Sequence, residues 1–193
     1  MIIGITGGIG AGKSTVLSVL EKNFGARTIM ADEIGHRALL PGTGVCEQIR
    51  EIFGEDFLKE DGSANRDALA KEVYSDDAKR QRLNELIHPF VLDEIRRQLK
   101  AWQGEPLIVL ETAILFETGC DKLCDAVWGV VADKEIRIQR LIRSRGYSRE
   151  KAEVIMSKQL SDEQWSERCD RLIDNNGNEK KILIQIQELL GIA

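Results

Sequence analysis

The sequence predicts an α/β fold in which a parallel sheet is flanked by helices. Short runs of β-branched and aliphatic residues alternate with longer stretches of helical spacing, and this alternation is typical of parallel sheets whose strands are joined by helices. A glycine-rich loop separates the first strand from the first helix, and a charged helical stretch follows the second strand. A chain of 193 residues is expected to form one domain with appendages.

Each predicted element follows from a local pattern. Strands are expected at residues 1–6, 27–30, 107–110, 126–131 and 171–173. Helices are expected at residues 14–22, 33–40, 134–145 and 179–190. A further helix opens at Ser148, whose side chain suits an N-cap. The stretch 44–103 has only helical spacing, interrupted at Gly54, at residues 61–62 and at residues 88–89, which predicts a helical insertion.

These elements divide the chain into a core, an insertion and a lid. The core is predicted at about residues 1–40, 105–133 and 170–193, the helical insertion at about 41–104 and the lid at about 134–169. Ligands of parallel α/β sheets bind beyond the carboxyl ends of the strands. The loop after the first strand, Asp32 after the second and Glu111 after the third are therefore the candidate functional positions.

The composition excludes several classes of function. A net charge of −5 argues against nucleic-acid binding, which relies on an excess of Lys and Arg. Four cysteines and two histidines lack the spacing of a zinc site, and reduced thiols are expected in a cytoplasmic protein. The chain opens on a strand without a basic leader, and no apolar run approaches the ~20 residues of a membrane helix. Neither a membrane role nor an oligomeric state is indicated.

The loop of residues 7–14, GGIGAGKS, matches G-x-x-x-x-G-K-[ST] at every fixed position. Its glycines let successive backbone N–H groups point at phosphate oxygens. Lys13 would then supply charge to the β- and γ-phosphates, and the Ser14 hydroxyl is the expected Mg²⁺ ligand. A glycine-rich turn without a ligand is disfavoured, because the motif lies directly between a strand and a helix. The sequence therefore predicts a P-loop NTPase-type sheet that binds the phosphates of a nucleotide.

Asp32 is the candidate catalytic base. No guanine-reading N-K-x-D element is present, which argues against a GTPase. A kinase needs a carboxylate to orient the acceptor hydroxyl and take its proton. Asp32 is expected to end the strand beside the loop strand, so that its carboxylate faces the γ-phosphate. The alternative is that Asp32 is the N-cap of the helix from Glu33, a position that Asp suits.

The basic helix from Lys134 also has two interpretations. Its arginines are Arg137, Arg140, Arg143 and Arg145, with Arg149 beyond Gly146. Spacings of three keep neighbouring side chains within reach of one another. These arginines could neutralise charge on the transferring phosphoryl group as part of a mobile lid, or they could form a solvated face, as charge runs usually do.

Seven segments of the chain, in order, resemble the dephospho-CoA kinase family. They are residues 5–15 (ITGGIGAGKST), 29–34 (IMADEI), 40–44 (LPGTG), 61–69 (DGSANRDAL), 83–89 (LNELIHP), 115–117 (LFE) and 170–177 (DRLIDNNG). Each segment is short, but together they follow the order of the family over nearly the whole chain, and this makes the resemblance specific.

The resemblance implies transfer of the ATP γ-phosphoryl group, with Mg²⁺, to the ribose 3′-hydroxyl of dephospho-CoA, the last step of coenzyme A synthesis. It implies an ATP site made of Gly8, Gly10, Ala11, Gly12, Lys13, Ser14, Thr15 and Asn175. Asp32 matches the catalytic aspartate of the family's D-A-D, and Arg140 matches its lid arginine. The resemblance implies that these two residues act in catalysis together with Lys13. The acceptor side is implied to consist of Asp32, Arg66, His88 and Pro89.

The chain also departs from the family pattern. Met30 replaces the first aspartate of D-A-D, and residues 111–114 (ETAI) replace an apolar approach and a proline. The roles of Glu111 and Glu117, including help in holding Mg²⁺ through water, are therefore left open. His88 has the alternative of a turn residue hydrogen-bonded to the backbone. Two other functions stay open at this point: another small-molecule or nucleotide kinase, and a nucleotide-binding regulator that transfers no phosphate.

Overall fold

The strands and helices follow the predicted alternation in the computed structural model, which describes residues 1–74 and 76–192. The strands are β1 (Ile2–Thr6), β2 (Arg27–Met30), β3 (Ile108–Glu111), β4 (Ala126–Val131) and β5 (Arg171–Asp174). The helices are α1 (Lys13–Phe24), α2 (Ala31–Ala38), α3 (Gly44–Phe53), α4 (Arg66–Tyr74), α5 (Asp77–Ala101), α6 (Lys134–Arg145), α7 (Arg149–Met156), α8 (Asp162–Arg168) and α9 (Glu179–Leu190). Ser148 is the N-cap of α7, as predicted, since its side chain accepts a hydrogen bond from the Lys151 N–H.

The five strands form one parallel sheet in the order β2-β3-β1-β4-β5. Ile5 of β1 lies opposite Glu111 of β3 on one side, and Thr6 lies opposite Gly129 of β4 on the other. The predicted fold class, a P-loop NTPase-type sheet flanked by helices, is confirmed.

One expectation about strand order is wrong. β3, not β2, lies beside the loop strand β1, so the acidic residue that ends the neighbouring strand is Glu111 rather than Asp32. The burial of the strands explains the order. All four residues of β3 are buried, which suits a central position with helices on both faces. β2 begins with an exposed residue, Arg27, and takes the edge of the sheet.

The chain divides into two compact units. We call Met1–Ile29 with Gly104–Ala193 the sheet unit, and Met30–Gln103 the helical unit. The helical unit begins at Met30 rather than near residue 41 because α2 packs on α3 and α5. Its core contains buried side chains of α2, α3 and α4, covered by half-buried apolar side chains of α5, namely Leu83, Leu86, Ile87 and Phe90.

The predicted interruption at residues 88–89 is wrong, because α5 runs without a break through Pro89. Proline at that position removes one intrahelical hydrogen bond, the one to the carbonyl of Glu85. Apolar side chains on both sides of it, Leu86 and Phe90 among them, pack on the core of the helical unit. This packing offsets the lost bond, so the helix continues.

Glu94 connects α5 to α2 and makes the helical unit sensitive to acid. Arg97 donates two hydrogen bonds of 2.8 Å to its carboxylate, and Gln98 donates a third of 2.8 Å. Arg37 of α2 lies 3.4 Å from the same carboxylate. The two bonds from Arg97, followed by the one from Gln98, lower the pKa of Glu94 from 4.5 to about 2.

We expect Glu94→Gln to destabilise the protein at neutral pH by about 1 kcal/mol, because charge-assisted hydrogen bonds are lost while solvent screens part of the effect. A lowered carboxyl pKa stabilises the fold above the ordinary value of 4.5, and this contribution is lost as the pH falls through about 2. Urea midpoints of wild type and variant should therefore converge as the pH falls from about 4.5 to about 2. Asp93→Asn, at an exposed pair with Arg96, is the control. A difference that stayed constant with pH would contradict the role of the carboxylate charge.

None of the helices in the described part of the chain has the length and apolar character needed to cross a membrane.

Candidate active site

The glycine-rich loop connects β1 to α1 and leaves a row of backbone donors unused. Gly10 and Gly12 have φ values of +76° and +91°, a region open to glycine. The N–H groups of Gly10, Gly12, Lys13 and Ser14 make no hydrogen bond within the described residues of the sheet unit. Four such donors at the N-terminus of a helix form an anion-binding site.

Side chains outside the loop hold its carbonyl groups. Arg137 Nε donates to the Ile9 carbonyl at 2.9 Å. The Ala11 carbonyl accepts from Arg140 Nη1 at 3.0 Å and from Asn175 Nδ2 at 2.7 Å, and the Gly12 carbonyl accepts from Asn175 Nδ2 at 3.3 Å. The peptide bonds of the described residues are trans, so each N–H points away from the carbonyl of its own peptide group. The bound carbonyls of Ile9, Ala11 and Gly12 point toward these side chains. The N–H group of the residue that follows each of them (Gly10, Gly12 and Lys13) therefore points away from these side chains.

The same side chains explain why two loop positions require glycine. A Cβ atom at Gly12 would lie 2.1 Å from Asn175 Nδ2, and one at Gly8 would lie 2.2 Å from Arg137 Nη2. Neither position can carry a side chain without displacing a group that holds the loop.

Lys13 lies beside a buried carboxylate. Its Nζ donates to the Gly7 carbonyl at 3.1 Å and lies 3.7 Å from Glu111 Oε1. Glu111 is only 6% exposed and ends β3, the strand next to β1. A buried charge requires compensation, and the pair supplies it. The role of Glu111 could not be assigned from the sequence. The feature that pointed to it is an acidic residue at the end of a fully apolar strand.

The oxygen groups near the loop suit Mg²⁺ bound together with a nucleotide. Ser14, the predicted metal ligand, is exposed in the first turn of α1, and Glu111 offers a carboxylate. Across residues 1–74 and 76–192, no three His, Cys, Asp or Glu side chains converge on a metal position. Mg²⁺ usually binds through one or two protein oxygens plus substrate phosphates, and the residues present fit that pattern.

The basic helix α6 turns two of its arginines toward the loop. Arg137 is 7% exposed and Arg140 is half-buried, and both bind loop carbonyls. The solvated-face alternative is wrong for these two and correct for Arg143 and Arg145, which are exposed. Arg140 also donates to the Asn175 carbonyl at 2.8 Å. Its predicted contact with the transferring phosphoryl group stays a prediction.

Asn175 follows β5 and is 2% exposed. Its N–H donates to the Val131 carbonyl at 2.9 Å, which extends the pairing of β5 with β4 by one residue. Its side-chain amide spans the Ala11 and Gly12 carbonyls. The structure therefore brings Asn175 to the loop, and its contact with the ATP adenine stays a prediction.

Asp32 lies in the helical unit, in the first turn of α2. The N-cap of that helix is Met30, so the alternative that Asp32 caps it is wrong. Its side chain is exposed and makes no hydrogen bond or ion pair with the described residues of the helical unit. A carboxylate that no local partner occupies can accept a proton from a ligand.

The other predicted acceptor-side residues lie on two helices of the same unit. Arg66 is the first residue of α4 and is exposed. His88 is half-buried inside α5, followed by exposed Pro89. Because His88 lies in a continuous helix, the alternative of a turn residue is wrong. The binding roles of all three stay predictions.

Comparisons with known proteins agree over nearly the whole chain. The dephospho-CoA kinase family model matches residues 1–181. A dephospho-CoA kinase of Symbiobacterium thermophilum is 41% identical over 188 residues, covering 96% of this chain and 78% of that protein. One from Geobacter sulfurreducens is 37% identical over 190 residues, covering 97% and 96%. Among solved structures, TT1252 from Thermus thermophilus superposes with a TM-score of 0.85 at 29% identity, covering 99% of this chain and 96% of that one.

Proposed function

The chain belongs to the dephospho-CoA kinase family, and from this premise we propose how its residues perform ATP-dependent phosphorylation of dephospho-CoA in coenzyme A biosynthesis. We place the reaction at the ribose 3′-hydroxyl. The observation that carries the proposal is the loop after β1, whose carbonyls bind Arg137, Arg140 and Asn175 while four of its N–H donors stay unused within the described residues of the sheet unit. Such a loop fits a polyphosphate.

ATP is the donor in this proposal. The backbone of Gly8 and of Gly10 to Thr15 surrounds its phosphates, Lys13 leaves Glu111 to contact the β- and γ-phosphates, and Asn175 lies toward the adenine. Mg²⁺ bound with ATP would neutralise phosphate charge, held by the Ser14 hydroxyl and, through water, by Glu111. Arg140 stabilises charge on the phosphoryl group in flight.

Dephospho-CoA is the acceptor. Arg66, His88 and Pro89 of the helical unit bind it, and Asp32 orients its hydroxyl group. The hydroxyl oxygen forms a bond to the γ-phosphorus as the bond to the β–γ bridging oxygen breaks, ADP leaves, and the hydroxyl proton passes to Asp32. Helices α6 to α8 act as the lid. The four cysteines are free thiols, which fits a reaction that takes place in the reducing cytoplasm.

One assay tests the proposal against its rivals. Purified protein with Mg-ATP is given dephospho-CoA or a panel of nucleosides and small alcohols, and the products are identified by mass. Phosphorylated dephospho-CoA as the preferred product is the expected result. Preference for another acceptor would favour a different small-molecule kinase, and ATP binding without any product would favour a regulator.

Glu111→Gln tests the acidic group beside the loop. We expect a loss of about 10- to 100-fold in kcat and a severalfold rise in the Mg²⁺ concentration needed for half-maximal rate, because one charge-assisted contact to the metal shell is removed. Initial rates over a Mg²⁺ titration at saturating ATP measure both. Glu117→Gln, which changes the exposed acid after β3, is expected to change them less than about threefold. A larger effect at Glu117 would transfer the assignment to that residue.

A further inference from the structure

Ile9, in the middle of the phosphate loop, is bound on both of its backbone groups by residues of the lid. Its N–H donates to Gln159 Oε1 at 2.8 Å, and its carbonyl accepts from Arg137 Nε at 2.9 Å. Arg137 Nη2 donates to the same Gln159 oxygen at 3.2 Å. These two side chains, which we call the Ile9 clamp, come from α6 and from the segment that follows α7.

The side chain of Ile9 is attached to the same helices. It packs on an apolar cluster of α6 and α7 whose buried members are Ile138, Leu141 and Ala152. A single loop residue is thus linked to the lid by its N–H, its carbonyl and its side chain. The two loop residues flanking Ile9 are also close to Arg137, because a Cβ atom at Gly8 would meet its guanidinium and one at Gly10 its backbone.

The clamp fixes one donor of the phosphate site. The carbonyl of Ile9 and the N–H of Gly10 belong to one trans peptide group and point in opposite directions. Binding of the carbonyl by Arg137 therefore sets the direction of the Gly10 N–H, which has no partner within the described part of the sheet unit. Gln159 fixes the preceding peptide group, between Gly8 and Ile9, by accepting a hydrogen bond from the Ile9 N–H. It also fixes the orientation of the Arg137 guanidinium by accepting a hydrogen bond from Nη2. Rotation of the Ile9–Gly10 peptide would turn the Ile9 carbonyl oxygen toward the phosphate site, and rotation of the Gly8–Ile9 peptide would break the hydrogen bond from the Ala11 N–H to the Gly8 carbonyl.

We propose that Arg137 and Gln159 are positioning residues that hold the loop at Ile9 in its phosphate-binding conformation and so couple the lid to ATP binding. The inference rests on the proposed use of ATP and goes beyond it, because neither residue contacts substrate in the proposal. It requires no particular acceptor, so it can be tested by ATP binding alone.

The test compares two substitutions at Gln159. Gln159→Met keeps the length of the side chain and removes the accepting oxygen, while Gln159→Glu keeps an oxygen and can pair with Arg137. Both Arg137 and Gln159 line an open cleft of about 480 Å³, so neither change creates a cavity in the core. Titration with Mg-ATP by calorimetry should show binding about 5- to 30-fold weaker for Gln159→Met, since an unsatisfied backbone donor is left behind, and within about threefold of wild type for Gln159→Glu.

Gln139→Met is the matched control. Gln139 lies on the exposed side of α6, and among the described residues of the sheet unit its side chain bonds Glu135 alone, so its substitution should leave ATP affinity unchanged. A structural role alone would lower the melting temperature of Gln159→Met without changing ATP affinity per folded molecule. That result, or equal losses for Gln159→Met and Gln159→Glu, would overturn the proposal.

Arg137→Lys completes the test. Lysine keeps the charge but cannot bind the Ile9 carbonyl and Gln159 at once, as the guanidinium fork does, and it should weaken ATP binding at least as much as Gln159→Met. If the two residues act as one clamp, the double variant with Arg137→Lys and Gln159→Met should bind ATP with about the same affinity as whichever single variant binds it less tightly. Fully additive losses would show that they act separately and would refute the clamp. A failure of the wild type to phosphorylate dephospho-CoA would instead count against the proposed function and leave this binding test intact.

Discussion

Asp32→Asn is expected to reduce turnover by at least about a hundredfold while leaving the affinity for Mg-ATP nearly unchanged. Asparagine keeps the shape of the side chain and a hydrogen-bond acceptor but cannot take the proton of the acceptor hydroxyl. Asp32 is not the N-cap of α2 and has no hydrogen bond or ion pair within the described residues of the helical unit, so its replacement breaks no hydrogen bond or ion pair there. Steady-state kcat with dephospho-CoA and calorimetric titration with Mg-ATP measure the two quantities.

Asp67→Asn is the matched control, since Asp67 is the second residue of α4 as Asp32 is the second residue of α2. Both carboxylates interact with a helix N-terminus, an effect of about 0.3–1 kcal/mol on stability. Equal losses of stability in the two variants, with turnover lost only in Asp32→Asn, would separate catalysis from helix stabilisation. Turnover near the wild-type value in Asp32→Asn would show that the base is another residue.

The elements of the fold were largely predictable, and the order of the strands was not. Apolar runs and helical periodicity are local properties, and they located β4 and α9 at residues 126–131 and 179–190. Which strand lies beside β1 depends on burial of whole strands against both helical layers, and no local pattern contains that information. For this reason the expected position of Asp32, at the end of the strand beside β1, was wrong, and the buried Glu111 lies at that position.

The candidate site shows the same division. The loop motif is contiguous, so its glycines, Lys13 and Ser14 could be identified from spacing. The side chains that hold its carbonyls are distant in sequence: Arg137 lies 128 residues from Ile9, Gln159 lies 150 from it, and Asn175 lies 164 from Ala11. Their types, an amide and a guanidinium, are common on any surface. Only the folded arrangement shows that they bind loop carbonyls or an N–H rather than water.

Gly12→Ala is expected to weaken Mg-ATP binding by about a hundredfold. A methyl group at this position would lie 2.1 Å from Asn175 Nδ2, and the backbone has a φ of +91°. The strained backbone costs about 1 kcal/mol, and displacement of Asn175 breaks its two bonds to the Ala11 and Gly12 carbonyls at about 1 kcal/mol each. Together these terms amount to about 3 kcal/mol, or about two powers of ten in affinity.

Two further variants separate the strain from the clash. Gly25 ends α1 with a φ of +63° and has open space where a Cβ would stand, so Gly25→Ala should cost about 1 kcal/mol of stability and leave ATP affinity unchanged. Asn175→Ala removes the group that the new methyl would strike. In that background Gly12→Ala should weaken ATP binding by only about fivefold, the effect of backbone strain alone. An undiminished hundredfold loss there would mean that the methyl group obstructs the phosphates directly, and that Gly12 serves the close approach of the ligand rather than the contact with Asn175.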